Sequence, residues 1–329
     1  MSLLLGAVNP YSGETFFGFF SVLVQRVFSF FLGRGCQGLV SDEIQCLVLI
    51  FLAFSLSFLG SFLVARQMTM LANALSHTLL LGIVSAFFLF KVFGGGETLL
   101  SPFTSMKVLW VAALVTGVLT TALTELLRHK LKVQEDASIG LVFTTLFALG
   151  ILFVTLFTRN LHLGVEAITG NIDALHVADL KTVGGVALVV FLFYFLFFRG
   201  FLVSAFDPIF AKSISYPTKT LNYLLMILTA GGAIASFRAV GVILFLSFLV
   251  GPVLVARLYV ETFKKQMFLG FFVSSTCSIV SVALSRHILT VYRAPVSTGA
   301  LTVSILFCVY LLSLFVAPKK GILSKCFFS

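Results

Sequence analysis

Long, uninterrupted apolar runs constrain the fold of this chain more than any other feature of its sequence. Each run holds about 20 residues, enough for a helix to cross the hydrocarbon core of a bilayer with its backbone hydrogen bonds closed internally. The strict alternation of a transmembrane barrel does not occur in them. Hydrophobic residues fill 59% of the 329 positions and charged residues only 10%, far below the roughly 25% of a soluble domain. The sequence therefore predicts an all-α, polytopic helical membrane protein.

The apolar runs predict about eight or nine transmembrane helices. A further run at 14–32 carries Gln25 and Arg26 near its middle. Because a charge is costly at the bilayer centre, we expect that run to form a helix in the membrane interface. Around Phe237–Gly241 two runs leave almost no loop, so one span followed by a broken helix is an alternative there. The predicted spans are 44–65, 76–93, 108–127, 139–158, 183–203, 221–236, 239–259, 267–285 and 296–317.

The distribution of basic residues indicates the orientation. The net charge is +10, but Lys and Arg are divided among short segments between apolar runs, unlike the continuous basic stripe of a nucleic-acid-binding surface. Under the positive-inside rule, thirteen of them fall in cytoplasmic segments and seven on the opposite side. We therefore expect no nucleic-acid partner. The predicted cytoplasmic segments are 66–70, 128–138, 199–220, 257–266 and 318–325.

Two kinds of site are not indicated by the sequence. The five cysteines contain no C-x-x-C pair, so neither a disulfide framework nor a thiolate metal site is predicted. The run Gly94–Glu97 is rich in glycine but lacks the lysine of a phosphate-binding loop. If transport is driven by ATP, we expect the ATPase to be another chain.

The segment 60–82 places polar side chains at the start of a predicted span. Asn73 and His77 are four residues apart and share one helix face, with Ser76 beside them. Polar side chains inside a membrane face protein or a water-filled path, and a neutral imidazole is a common ligand of Zn, Mn or Fe. The residues alone leave two roles open: a transport path, or hydrogen bonds that pack a neighbouring helix.

Three other segments carry a local signal. In a predicted cytoplasmic loop, Asp207 followed by Pro208 is typical of the N-cap and first residue of a short helix. On the residues alone this is an interfacial loop helix or a docking element. Asp136 is predicted to cap the apolar helix that follows it. The outer loop 159–182 is either solvated or receives a metal ion, and its candidate residues are His162, Glu166, Asn171, Asp173, His176 and Asp179.

Segment 60–82 resembles a signature of the permease subunits of zinc, manganese and iron ABC importers. The family pattern is G-x-F-L-V-x-R-x-M followed by G-D-A-L-S-H-A-x-x-P-G. Asn73 replaces the family's acid and Leu81 its proline. The resemblance implies that Asn73, Ser76 and His77 line the transport path and that His77 contacts the metal. The matching residues are Gly60, Phe62, Leu63, Val64, Arg66, Met68, Ala74, Leu75, Ser76, His77 and Gly82.

Three later motifs resemble the same family in the same order. Asp136–Gly140 is similar to D-A-x-I-G, and 229–257 is similar to a stretch built on R-A-V-G-V with a later P-x-x-x-A-R-L. The segment 206–215 resembles F-D-x-x-x-A-x-x-x-G, which in the family is the coupling helix that docks on the ATPase. The coupling-helix residues so implied are Phe206, Asp207, Pro208 and Ala211, with Ser215 in place of the usual glycine.

The resemblance covers about 44–317, which is predicted as the permease transmembrane domain. Residues 1–43 are then an N-terminal segment with the interfacial helix, and 318–329 a cytoplasmic tail. The implied protein lies in a bacterial plasma membrane and moves a divalent cation (Mn, Zn or Fe) inward by alternating access. It is not itself an enzyme and holds no permanent cofactor.

The implied partners are a cytoplasmic ABC ATPase, a second permease subunit and an extracytoplasmic metal-binding protein. Asn73 favours a second subunit of different sequence, whose own acid completes the site. One alternative is a secondary metal carrier driven by an ion gradient, but nearly every acid here lies at a span end or in a loop. The other alternative is an ABC permease for a siderophore or corrinoid, and the pair Ser76–His77 favours bare ions over it.

Overall fold

The computed structural model describes residues 10–11, 13–31, 39–70, 73–75, 77–78, 81–82, 84–85, 106–157, 170 and 172–317. In these ranges it contains helices and no strand, which confirms the all-α prediction. The described residues between 69 and 85 are also helical, and a short 3-10 turn forms at Ile172–Ala174. The helices are α1 (Phe16–Phe31), α2 (Ser41–Ala65), α3 (Met106–Lys130), α4 (Glu135–Phe157), α5 (Val177–Phe206), α6 (Pro208–Ser213), α7 (Thr218–Val240), α8 (Val242–Tyr259), α9 (Phe263–Tyr292) and α10 (Thr298–Val316).

In the described part of the chain, seven helices are long and apolar enough to cross a membrane, namely α2, α4, α5, α7, α8, α9 and α10. Helix α3, which contains the predicted span 108–127, is as long as α2 at 25 residues. It is less apolar because threonines and charged residues interrupt it. Only part of the predicted span 76–93 lies within the described residues. Helix α1 has 16 residues, too few for a span of ordinary length.

Helix α2 lies at the centre of the bundle and packs against α5, α7, α8 and α9. In its most apolar window 78% of the residues are buried, compared with 22% for α5 and 17% for α10. The outer helices therefore keep large apolar side chains exposed, such as Phe195 on α5 and Phe307 on α10. Such faces are suited to lipid or to another membrane subunit.

Two glycines of the first motif allow helices to approach closely. A Cβ atom at Gly60 would lie 1.8 Å from the carbonyl oxygen of Leu249 on α8. A Cβ atom at Gly82 would lie 1.9 Å from Oγ1 of Thr116 and 2.8 Å from the carbonyl oxygen of Ala112, both on α3. These positions accept only glycine because any side chain would push the neighbouring helix away.

A single residue separates α7 from α8. Gly241 has φ of +82°, in the region that glycine adopts at little cost. Its N–H donates to the carbonyl oxygen of Phe237 at 3.1 Å and so closes the end of α7. Both helices are long enough to span. The structure therefore has two helices of spanning length here, rather than one span followed by a broken helix.

Helix α1 is attached to the start of α2 through one carboxylate. Glu43 accepts hydrogen bonds from the Tyr11 hydroxyl at 3.0 Å, from the Arg26 guanidinium and from the Val40 N–H at 3.1 Å. The Tyr11 ring packs against Phe19, with 4.9 Å between centroids, and both are buried. Burial, together with the nearby carboxylate, raises the pKa of Tyr11 above its ordinary value. Arg26, a costly residue in an apolar run, thus has its counter-ion on α2.

Hydroxyl groups join α2, α9 and α10 inside the apolar bundle. The side-chain oxygens of Ser57 and Ser274 are 3.1 Å apart, and those of Ser281 and Thr302 are 2.6 Å apart. All four residues are fully buried. Hydrogen bonds between helices in a membrane contribute about 0.6 kcal/mol each. Their main effect is to select which faces of the three helices meet.

Candidate functional site

A left-handed turn leads from α2 into the next helical segment. Gln67 has φ of +60°, and the N–H of Met68 donates to the carbonyl oxygen of Leu63 at 2.9 Å. This bond is typical of a Schellman motif. Arg66 forms the C-cap of α2, and its Nη2 donates to Oγ of Ser204 on α5 at 2.7 Å. The arginine of the first motif therefore connects this turn to α5.

His77 lies against two aromatic rings of α4. Its ring centroid is 5.4 Å from that of Phe143 and 5.3 Å from that of Phe147. His77 and Asn73 are both half-buried, whereas Ser76 lies outside the described residues. His77 therefore faces α4. Phe143 and Phe147 were not predicted as its neighbours, although their spacing of four residues places them on one helix face.

The same segment packs on α3 through its neighbouring residue. Oγ1 of Thr120 and Oγ1 of Thr78 are 3.1 Å apart, and both side chains are fully buried. Thr116, Thr120 and Thr124 recur every four residues on α3, are buried, and each donates to the carbonyl group four residues earlier. The segment that carries His77 is thus held between α3 and α4. This threonine row was not predicted from the sequence, although its spacing of four residues was an available signal.

His77 contacts the rings of Phe143 and Phe147 and belongs to no cluster of metal ligands among the described residues. A resident metal site uses three or four protein ligands. No three residues of the His, Cys, Asp and Glu types come together as such a site within the described ranges. The role of Asn73 and His77 in a transport path stays a prediction.

The outer loop is described only in part. His162, Glu166 and Asn171 lie outside the described residues, so metal binding by His162 and Glu166 stays a prediction. Two described acids of this loop have structural roles. Asp173 accepts a hydrogen bond from the hydroxyl of a threonine on α10 at 2.6 Å. Asp179, in the first turn of α5, accepts a backbone hydrogen bond at 3.0 Å from the residue that precedes the helix.

Helix α6 has the local structure that the sequence predicts for a short capped helix. Oδ1 of Asp207 accepts hydrogen bonds from the N–H groups of the second and third helical residues at 3.0 and 2.9 Å, and Pro208 occupies the first helical position. Such an N-cap contributes about 1 kcal/mol. The predicted cap and first residue are confirmed. Ala211 is fully buried against the bundle.

Ser215 ends this helix in the conformation that glycine ordinarily adopts. It has φ of +64°. The N–H of Tyr216 donates to the carbonyl oxygen of Ala211 at 2.9 Å, and that of Ser215 donates to Lys212 at 3.1 Å. This pair of bonds defines a Schellman motif. The replacement of the family's glycine therefore leaves the helix end in place, at the conformational cost of a side chain in the left-handed region.

Apolar side chains of α6 and of the residue before its cap are exposed. Ile209 is 81% exposed and Phe210 53%. Phe206 is 64% exposed, and its ring meets that of Phe263 edge-on at 5.6 Å. Phe206 was predicted as a coupling-helix residue, whereas Ile209 and Phe210 were not. The sequence signal for an exposed apolar face was the adjacent pair Ile209 and Phe210. This pair lies between the polar N-cap and a lysine.

The other two motifs, Asp136–Gly140 and 229–257, contribute to a helix start and to helix packing, with one correction. Asp136 was predicted as a helix N-cap, but α4 begins at Glu135, so Asp136 is the second helical residue and this prediction is wrong. A carboxylate there still stabilises the helix through its dipole. In the segment 229–257, a Cβ atom at Gly232 would lie 3.3 Å from Cδ1 of Leu59 on α2, so α7 and α2 pack closely at this residue. The side chain of Arg238 is outside the described structure.

Comparison with known proteins gives the same result as the motifs. The family model described as "ABC 3 transport family" matches residues 44–317. The chain is 35% identical over 324 residues to a Chlamydia trachomatis protein named "Probable metal transport system membrane protein", covering 98% of both chains. It is 30% identical over 285 residues to the manganese transport system membrane protein MntD of Bacillus subtilis, covering 82% of this chain and 90% of that one.

A solved structure shares the fold. The structure of PsaBC from Streptococcus pneumoniae in complex with Fab matches with a TM-score of 0.71 and 23% sequence identity, over 92% of this chain and 99% of that chain. The family match covers most of this chain, and the Chlamydia relative is similar over nearly its whole length. The chain is therefore a multi-pass bacterial membrane protein that belongs to the ABC 3 transport family, the family of metal ABC permeases.

Proposed function

We propose that this chain is the permease subunit of an ATP-driven importer that moves a divalent transition-metal ion, Mn, Zn or Fe, into the cytoplasm by alternating access. In this proposal ATP is hydrolysed in a separate chain. Family membership and the relative named for manganese transport support the class of cargo. The observation that carries the proposal is the exposed apolar face of the capped helix α6. Such a face on a short rigid helix is suited to insertion into a groove of a partner.

The contacts of α6 supply a short route to the proposed ion path. Helix α6 packs on both α5 and α7. Near the end of α5, Ser204 accepts the hydrogen bond from Arg66, at the turn that precedes the segment of His77. A displacement of α6 by an ATPase would therefore move the end of α5 and, through Arg66, that turn. Rigid helices joined by a hydrogen bond can carry such a movement to the face of Asn73 and His77.

The proposal requires three kinds of partner. A cytoplasmic ABC ATPase binds α6, and an extracytoplasmic metal-binding protein delivers the ion. A second permease subunit packs against an exposed apolar face of the bundle, for which α4, α5 and α10 offer large surfaces. Asn73 in place of the family's acid supports a second subunit of different sequence. The metal ion is cargo and not a resident cofactor.

The variant Ile209→Glu tests the coupling role of α6. Because Ile209 is 81% exposed, the substitution should change the stability of the purified chain by no more than about 0.5 kcal/mol. A carboxylate in an apolar contact is costly, so ATPase binding and ATP-dependent metal uptake should each fall at least tenfold. Binding is measured by pull-down with the partner ATPase, and uptake in proteoliposomes with radioactive Mn, Zn and Fe.

A matched control is Thr262→Glu, which adds the same charge at an exposed position of the turn between α8 and α9. This turn lies on the same predicted side of the membrane as α6. The control should keep uptake within twofold of the unmodified chain. Normal uptake by Ile209→Glu would show that α6 is an ordinary loop helix.

A further inference from the structure

A polar cleft of about 250 Å³ opens beside α6 at the end of the bundle. It is built where several helices end or begin, because α2, α3 and α5 end here and α7 begins here. One wall is the turn after α2, and the opposite wall is formed by α6 and the first turn of α7. The charged and polar side chains of the lining are those of Arg66, Gln67, Glu125, Arg128, Ser204, Lys212, Thr218, Lys219 and Asn222.

The charge of this lining favours an anion. Four cationic side chains face one carboxylate, that of Glu125. A metal cation on its way through the protein would be repelled by such a site, so the cleft is unsuited to the cargo. Guanidinium groups bind phosphate oxygens through a planar fork of donors, and ammonium groups act as point charges. The hydroxyl groups of Ser204 and Thr218 add neutral donors of the kind that bind phosphate oxygens.

We propose that this cleft binds a phosphate group, carried either by an anionic phospholipid or by a soluble phosphate compound. The lining residues lie at the ends of membrane-spanning helices, which is the depth of lipid headgroups. The four cationic residues of the lining also lie in segments that the distribution of basic residues places on the cytoplasmic side. Anionic lipid on that side attracts Lys and Arg. A bound phosphate would bridge the turn after α2, the end of α3 and α6.

The cleft is separate from the apolar face of α6. Pro208 and Lys212 line the cleft, whereas Ile209 and Phe210 do not. The two sides of this short helix therefore have different chemistry, one cationic and one apolar. The proposed phosphate site therefore lies beside the proposed ATPase contact at Ile209, and it shares α6 and the Arg66–Ser204 hydrogen bond with the proposed coupling route.

The test uses the purified chain in detergent, without ATPase or metal. Phosphatidylglycerol and phosphatidylcholine are titrated in parallel and followed by native mass spectrometry, and inorganic phosphate is added in a separate arm as a competitor. We expect phosphatidylglycerol to bind at least tenfold more tightly than phosphatidylcholine, with affinity falling as salt rises. Lys219→Gln should weaken phosphatidylglycerol binding about threefold, and Arg128→Gln with Lys219→Gln at least tenfold.

The matched control is Lys130→Gln, which removes an exposed charge from the last residue of α3 without touching the cleft. It should leave affinity unchanged. Since Lys219 is exposed, its single variant remains informative if the double variant fails to fold. Competition by inorganic phosphate would show that the cleft also binds soluble phosphate. Tight binding of inorganic phosphate without a preference for phosphatidylglycerol would identify the ligand of the cleft as a soluble phosphate compound.

Two results would overturn the proposal. One is equal loss of phosphatidylglycerol binding in Lys130→Gln and in the cleft variants. That result would show that binding depends on the total surface charge and not on the cleft. The other is unchanged phosphatidylglycerol and phosphate binding in both the Lys219→Gln variant and the double variant, which would place the bound anion outside the cleft. Neither result depends on metal transport, so failure here is distinguishable from failure of the proposed function.

Discussion

Replacement of Gly60 by alanine is expected to destabilise the folded bundle by about 3 kcal/mol or more. The added Cβ atom would lie 1.8 Å from the carbonyl oxygen of Leu249, and a backbone atom cannot move aside as a flexible side chain can. Helices α2 and α8 would have to separate by roughly 1 Å. Overpacking in a close-packed interior costs 1–3 kcal/mol and more where the backbone must shift. The loss is measured by thermal unfolding in detergent and by the yield of folded protein from membranes.

The control for this prediction is Gly231→Ala on α7, where an added Cβ atom meets nothing within 4 Å. Alanine also has a higher helix propensity than glycine, so this variant should be as stable as the unmodified chain or slightly more stable. Equal stability of Gly60→Ala and Gly231→Ala would contradict the close approach of α2 and α8.

Replacement of Arg286 by methionine is expected to destabilise the chain by about 3 kcal/mol. Nε of Arg286 donates to Oδ1 of Asp42 at 2.5 Å, which joins the end of α9 to the first turn of α2. The Asp42 side chain is only 1% exposed, so the variant leaves its carboxylate buried without this cation. Breaking a buried ion pair costs 3–5 kcal/mol. We expect the lower end of that range because the arginine side chain is 24% exposed.

A second variant separates the ion pair from the packing of its side chains. Replacing both members with apolar residues, Asp42→Leu with Arg286→Met, removes the buried charge together with its partner. Such replacements are often neutral or stabilising, so the double variant should regain most of the lost stability in the same thermal unfolding experiment. A single Arg286→Met variant as stable as the unmodified chain would show that the ion pair contributes nothing.

The helical architecture could be predicted from the sequence because burial in a membrane leaves a simple signal. An apolar run of about 20 residues is long enough to span, and the predicted run 183–203 lies inside α5 for this reason. The position of a helix end is less certain from sequence, since several adjacent residues can cap it. Glu135 and Asp136 are both acidic, and the structure begins α4 at the first of them.

The surroundings of the candidate path could be predicted only in part. The motif identified His77 as a candidate path residue, but the contact of His77 with Phe143 and Phe147 depends on how α4 is rotated about its axis. That rotation is set by contacts between helices distant in sequence, as is the pairing of Thr78 with Thr120. Local signals did predict α6, because an aspartate followed by proline satisfies the first N–H groups of a helix within the same few residues.

The central claim, an ATP-driven metal permease, is tested most directly by uptake in proteoliposomes that contain this chain with and without its partner ATPase. Radioactive Mn, Zn and Fe are supplied in parallel, with ATP present or absent on the ATPase side. Uptake of at least one metal that requires both the ATPase and ATP is the predicted result, and the metal that accumulates identifies the cargo. Uptake by this chain alone, insensitive to ATP and driven by an ion gradient, would contradict the claim and show that the chain is a secondary carrier.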